Sequence, residues 1–369
     1  MNQLFRWDQT GLFLLALAAG ILPFAVPEVC AAALREGLTL CSGPLLLSLF
    51  PFLVVSRLLI QCPESDLLAL PFRLAAWGIG IRTPCAARVL CIGFLGGFAP
   101  AASAAAQAVR TGQITAEEAD ALLPACICSG PSFVVLTVGQ SLLGSAELGV
   151  LLFASQITAN YLTAALLNRF AGVRSVKPGS AVPAFPAPPR LDEILADAAI
   201  TYCKLCGFIL FFRMLAAGAG ALLPAGAGTL CSILLEVCSG CDLASRTGRW
   251  GSLLCCAALS VQGLSVLLQV RTICPPEMTL RPLYRARLLH LPLSLALFYL
   301  LLPGGAADVF STLPARVLLM RRVPPDCALL VFAVCCMAAC TLRSGIRQVE
   351  QKQMARNAGG CCINSKTLL

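Results

Sequence analysis

Few residues in this chain combine the type and spacing that chemistry needs. Glu236 stands in LLEVCSG at the end of an uncharged run. Burying a carboxylate there costs about 2.5 kcal/mol or more unless it is paired or wet. It suits binding of Na⁺ or a proton, or orientation of a polar solute; the alternative is that it marks the end of a span. Ser265 and Gln269 follow the Gly263 break and offer neutral hydrogen bonds to the same space. Gln140 and Asn160 read as contacts between helices. Lys204 and Arg213 share one apolar span on opposite helix faces, so at most one meets a carboxylate; the commoner fate of either is to reach for the interface. His290, the single histidine, follows Arg287 at the start of a span and reads as interfacial.

Cys203-x-x-Cys206 and Cys238-x-x-Cys241 have the spacing of zinc ligands. The first pair is embedded in apolar sequence and the second lies beside a break, so no metal is assigned. No phosphate-binding loop, nucleophile elbow or metalloprotease helix motif occurs. No catalytic residue and no cofactor is therefore expected, and ATP-driven pumping is disfavoured.

The backbone offers a stronger signal. In lipid a freed N–H or C=O costs several kcal/mol unless protein or water satisfies it. Gly96-Gly97 with Pro100, and Ser129-Gly130-Pro131, would be unstable facing acyl chains. They become sensible where half-helices meet around a cavity, their ends offering dipoles to a solute. Taken singly, each break reads as packing or a kink. Several in matching order point to a transporter site.

The elements that must position these residues follow from composition. Of 369 residues, 58% are hydrophobic and 12% charged, and the mean hydropathy is +0.83. Soluble domains carry about 25% charge, so a globule with this sequence could not cover its surface. Disorder needs low hydrophobicity and is excluded by the same numbers. The net charge of +9 comes from bases spread through short loops, which fits cytoplasmic membrane loops rather than a nucleic-acid face. The 21 cysteines are an odd count. Many lie in apolar runs, where thiols act as small hydrophobes rather than disulfide partners.

Uncharged runs outline the spans: Gln9 to Pro27, Gly37 to Ser56, Val89 to Val109, Ala121 to Ala146, Leu148 to Asn168, Met214 to Leu235, Trp250 to Val270, Leu288 to Ala307 and Cys327 to Leu342. A helix crosses a ~30 Å core with about 20 residues, so an all-α polytopic membrane protein of about eight to ten apolar segments is expected. Thr115 with Glu118 forms a capping box, with Glu117 and Asp120 favouring the positive helix end. A short helix is expected from about Ala116 to Leu123, stopped or kinked by Pro124.

Prolines concentrate in KPGSAVPAFPAPP, where the chain cannot stay helical. The organisation read from this is an N-terminal membrane half over 1–169, a cytoplasmic linker over 170–190 and a second half over 191–303. Further membrane segments over 304–344 and a basic cytoplasmic tail over 345–369 complete it. The N-terminus is also assigned to the cytoplasm, as a retained anchor preceded by Arg6. Cys361-Cys362 is read as part of a plain tail. Each half runs in the same order: a long aliphatic–aromatic span, a short small-residue segment, and an apolar span with a break.

LFPFLVVSRLL, GFLGGFAPAA with TGQITAEEADALL, CICSGPSF, LLEVCSG and GLSVLLQV occur in that order between about Gly37 and Arg287. Together they resemble motifs of the sporulation integral membrane protein YlbJ (SpoVV) family, which carries two nucleoside-recognition Gate domains. The family is itself similar to concentrative nucleoside transporters. The resemblance implies two repeated halves with re-entrant hairpins and interrupted helices. It also implies transport of dipicolinate, a small aromatic dicarboxylate, across a cell or spore membrane during sporulation. Carried residue by residue, the implied substrate site is Gly96, Gly97, Ser129, Gly130, Pro131, Glu236, Ser239, Gly240, Gly263, Ser265 and Gln269. Two departures stand out: Ala99-Pro100-Ala101-Ala102-Ser103 lacks the lysine of the family pattern, and Ile127 and Cys128 replace asparagines.

The expected function is thus transport of a small anionic solute at a mid-membrane site, with Na⁺ or H⁺ as the candidate coupling ion. The alternatives are a nucleoside-type transporter and a non-transporting scaffold of a sporulation complex. The lipid bilayer and the solute are the expected partners; nucleic acid is not.

Overall fold

Prolines open helices where their missing N–H is no loss: Pro27 begins one helix and Pro84 another. The computed structural model describes residues 9–62, 64–171 and 191–302, which form helices and turns with no strand among them. The first half holds α1 (Gln9–Ala25), α2 (Pro27–Ser42), α3 (Pro44–Gln61), α4 (Ser65–Leu68), α5 (Leu70–Gly78), α6 (Pro84–Gly96), α7 (Phe98–Arg110) and α8 (Ala116–Cys126). A wide helix with i→i+5 bonding follows over Ser132–Leu142, then α9 (Ala146–Ala171). The second half holds α10 (Leu191–Leu222), α11 (Ala225–Leu235), α12 (Val237–Ser245), α13 (Gly251–Val261), α14 (Gly263–Ile273) and α15 (Arg281–Leu301).

Four stretches are long and apolar enough to cross a membrane: Pro27–Gln61, Ala146–Ala171, Leu191–Leu222 and Gly248–Ile273. The second and third are single helices, whereas the first joins α2 to α3 and the last joins α13 to α14. Shorter apolar helices include Pro84–Gly96 and Ala225–Leu235. Large apolar side chains point outward along the bundle, with Phe24 88%, Phe170 82% and Leu300 77% exposed. Such a surface belongs against acyl chains rather than water.

Burial concentrates on α6, α7 and α8, where small residues allow close approach. Ala99, Ala101, Ala102, Ala104 and Ala105 of α7 are all buried, and α7 packs between α3, α6 and α8. On the other side α10 packs on α2, α3 and α11, while α15 packs on α8, α9 and α13. The interior is therefore built from the interrupted helices, wrapped by the longer ones.

The capping box forms as its spacing predicts. Glu118 N donates to Thr115 Oγ1 at 3.1 Å, and Thr115 N donates to Glu118 Oε2 at 3.3 Å. Such a cap stabilises by about 1 kcal/mol. Pro124 does not end the helix, which runs on to Cys126. Asp120 is not turned to its own helix end either. Its carboxylate accepts from Thr279 N (2.8 Å), Thr279 Oγ1 (2.6 Å) and Leu280 N (3.0 Å), holding the turn that starts α15. The run Ala121–Ala146 is not one span: helix ends at Cys126 and restarts at Ser132. The segments expected over 304–344, the 345–369 tail with its cysteine pair, nearly all of the linker, and Arg6 lie outside the described residues.

Candidate functional site: four helix breaks and a basic cavity

Four interruptions come together in pairs. Gly97 separates α6 from α7 at φ +80° and ψ −163°, a region that is essentially glycine-only. A Cβ there would lie 2.7 Å from Gly130 N and 3.2 Å from Cys128 O, so the first break presses backbone to backbone against the one after α8. The second pair sits at Glu236, between α11 and α12, and at Gln262-Gly263, between α13 and α14. A Cβ on Gly263 would lie 3.0 Å from Glu236 N. Gln262 Nε2 donates to Ser129 Oγ at 3.3 Å and ties the two pairs together.

The expected site residues divide accordingly. Gly96, Gly97, Ser129, Gly130 and Pro131 form the first pair of breaks, with Gly96 packed beside Pro100 and Phe52. Glu236 is buried at 2% exposure, and both its oxygens are used locally. Cys238 N donates to Oε1 at 2.8 Å and Ser239 N to Oε2 at 2.7 Å, so the carboxylate caps α12 and meets its positive end. Gly240 lies one turn further on, close against Ile233 of α11. On α14, Gln269 Nε2 donates to Ser265 Oγ at 2.9 Å, while buried Gln269 Oε1 has no partner. Glu236 is thus a helix cap, Ser265 lies two residues beyond the Gly263 break and Gln269 six.

Three residues matter that sequence reasoning passed over. Gln262 holds φ +64° although it is not glycine. Its Nε2 also bonds Leu259 O at 2.6 Å, and its buried Oε1 is unpartnered. Backbone strain of this kind costs of order 1–3 kcal/mol and persists where the surroundings enforce it. Arg287 is buried on α15. Its Nη2 donates to Ile127 O (2.8 Å) and Asn160 Oδ1 (3.3 Å), and its Nη1 donates to Ser260 O (3.3 Å). Arg57, on α3, lines a cavity described below. His290 is buried inside the bundle rather than placed on its surface. It is 1% exposed, with Nε2 3.2 Å from Gln156 O, because its position on α15 shares the inward face with Arg287 and Ser294. Gln140 is exposed rather than a contact between helices, whereas Asn160 Nδ2 does bridge to Ile127 O at 3.4 Å.

A cavity of about 170 Å³ opens between α3, α7, α10 and α14. That is well above the roughly 10–15 Å³ one water needs. Arg57, Arg110 and Lys204 face it with one carboxylate, Asp197, which is ion-paired to Arg57. Ser103 and Gln269 line it as well. Both are 2% exposed, and Ser103 Oγ and Gln269 Oε1 lack hydrogen-bond partners. Ser103 is the sixth residue after Gly97, and Gln269 the sixth after Gly263. At about 1.5 Å per residue each lies roughly 9 Å along its helix from a break. Of the eleven expected site residues, Gln269 alone lines this cavity.

Arg213 Nη2 meets Glu36 at 2.7 Å, and Lys204 on the other face is exposed at the cavity rim. No cluster of three or more potential metal ligands occurs among the described residues, so neither cysteine pair is part of one. No family model matches the chain, and neither the curated proteins nor the solved structures yield a match.

Proposed function

We propose that the chain is an integral membrane carrier or channel for a small organic anion. The observation behind this reading is the cavity, where three cations stand against one carboxylate over two buried side chains, each with one unpartnered oxygen. Unpaired polar atoms of that kind are costly unless a solute or water meets them. A dicarboxylate balances the charge excess at the rim and places a hydrogen-bonding ring or carboxyl near Ser103 and Gln269. Dipicolinate, the solute implied by the resemblance to the YlbJ family, is such a molecule. It also explains why that family's lysine can be absent here: Arg57, Arg110 and Lys204 supply the cations from other helices.

In this reading the four breaks form a hinge region of two repeated halves. The cavity lies one to two turns from the breaks at Gly97 and Gly263. Rocking of α7 and α14 about Gly97 and Gly263 would move the cavity's inner wall relative to α3 and α10. The reading assigns no catalytic step and no cofactor.

The test is uptake of labelled dipicolinate by proteoliposomes holding the purified full chain. Saturable uptake is expected, and Lys204→Gln should weaken the apparent affinity about tenfold, equal to about 1.4 kcal/mol. Absence of saturable flux for dipicolinate and related dicarboxylates overturns the proposal. Uptake of nucleosides instead, unaffected by dicarboxylates, would favour the nucleoside-type reading.

A further inference from the structure

Arg287 raises a problem of charge balance. It is a buried cation on α15, and no carboxylate among the described residues pairs with it. Its partners are oxygens at helix ends: Ile127 O caps the C-terminus of α8, and Ser260 O belongs to the last turn of α13. A helix C-terminus carries roughly −0.5 of an elementary charge. Two of them supply about −1, matching one guanidinium. Asn160 Oδ1 completes the set, and Asn160 Nδ2 also reaches Ile127 O. The guanidinium therefore replaces a missing anion with two interrupted helices, one from each half of the chain.

Carbonyls at the C-terminal ends of broken helices are the groups that coordinate Na⁺ in transporters built this way. We propose that Arg287 is a tethered cation fixed where such an ion would bind, so that this protein neutralises its helix breaks from within and needs no bound Na⁺ there. The consequence for flux, that uptake does not depend on Na⁺, rests on the carrier reading. The electrostatic part does not. Arg287 acts through the breaks as a positioning residue and holds the ends of α8 and α13 together across the two halves.

The experiment is thermal unfolding of the detergent-purified full chain in choline, sodium and methylguanidinium chloride at equal ionic strength. It requires no transport, so it can fail separately from the carrier reading. For the unaltered protein, exchanging choline for Na⁺ should leave the Tm unchanged. Arg287→Ala should lower the Tm, and Na⁺ or methylguanidinium should restore part of the loss saturably, as a ligand binding only the folded state does. A saturable Na⁺ stabilisation of the unaltered protein overturns the proposal. So does an Arg287→Ala protein whose Tm ignores all three salts. If Arg287→Ala cannot be recovered folded, Arg287→Lys and Arg287→Met decide. Recovery of the lysine form alone supports the proposal, and equal recovery or equal loss of both overturns it.

Discussion

At Gly97 two backbones touch with no side chain between them, and Gly130 N lies only 2.7 Å from where a Cβ would have to go. At Glu236 the neighbouring pair of breaks is closed by side chains: a carboxylate caps α12, and Gln262 reaches back to Leu259 and across to Ser129. Both regions interrupt helices in an apolar bundle, and both must satisfy freed backbone groups. The first packs bare backbone against backbone, which leaves nothing to rearrange except the backbone itself. The second meets freed N–H groups with polar side chains. The difference teaches that the first pair of breaks depends on close backbone contact, and the second on side-chain hydrogen bonds.

Three substitutions can break or sharpen this contrast. The largest effect is expected at Gly97→Ala. The added Cβ meets backbone, and the residue must hold a conformation reserved for glycine. Steric overpacking and strain together should cost about 2–6 kcal/mol. Fluorescence-detected size-exclusion should show little folded protein; a normal, stable peak would mean that the contact at Gly130 is not tight. Glu236→Ala comes next. Loss of a buried, charge-assisted cap should destabilise by about 2 kcal/mol, read as a lower Tm with the oligomeric profile unchanged. The smallest change is expected at Gln262→Gly. Glycine relieves the positive φ by about 1–2 kcal/mol and gives up hydrogen bonds of about 1 kcal/mol each. The Tm should therefore shift little in either direction, whereas a collapse like that of Gly97→Ala would erase the distinction between the two pairs.

What was legible in the sequence is local. Thr115 and Glu118 lie three residues apart, and their box forms with the helix starting at Ala116. Gly97, Ser129-Gly130-Pro131, Glu236 and Gly263 each mark an interruption that the chain adopts, because backbone freedom and capping act over a few residues. What was not legible is which distant partner each charge finds. Arg57 pairs with Asp197, 140 positions away, and Asp120 with Thr279, 159 positions away. His290 and Arg287 looked like the border of a span because charge usually marks one. Helical spacing held the better signal: Leu283, Arg287, His290, Ser294 and Phe298 recur at intervals of three or four and form one buried face of α15. Gln262 left no trace, since glutamine has no preference of its own for the left-handed conformation it adopts.

The bonds from Asp120 and Arg287 to their partners also set a schedule for making this protein. Asp120 waits for Leu280, and Ile127 O waits for Arg287, each 160 residues further along the chain. At about 5–20 residues per second of synthesis, that interval is on the order of ten to thirty seconds. During that time a carboxylate and a helix end stand without their final partners in a growing polypeptide, so these contacts close only once α15 and the turn before it have emerged.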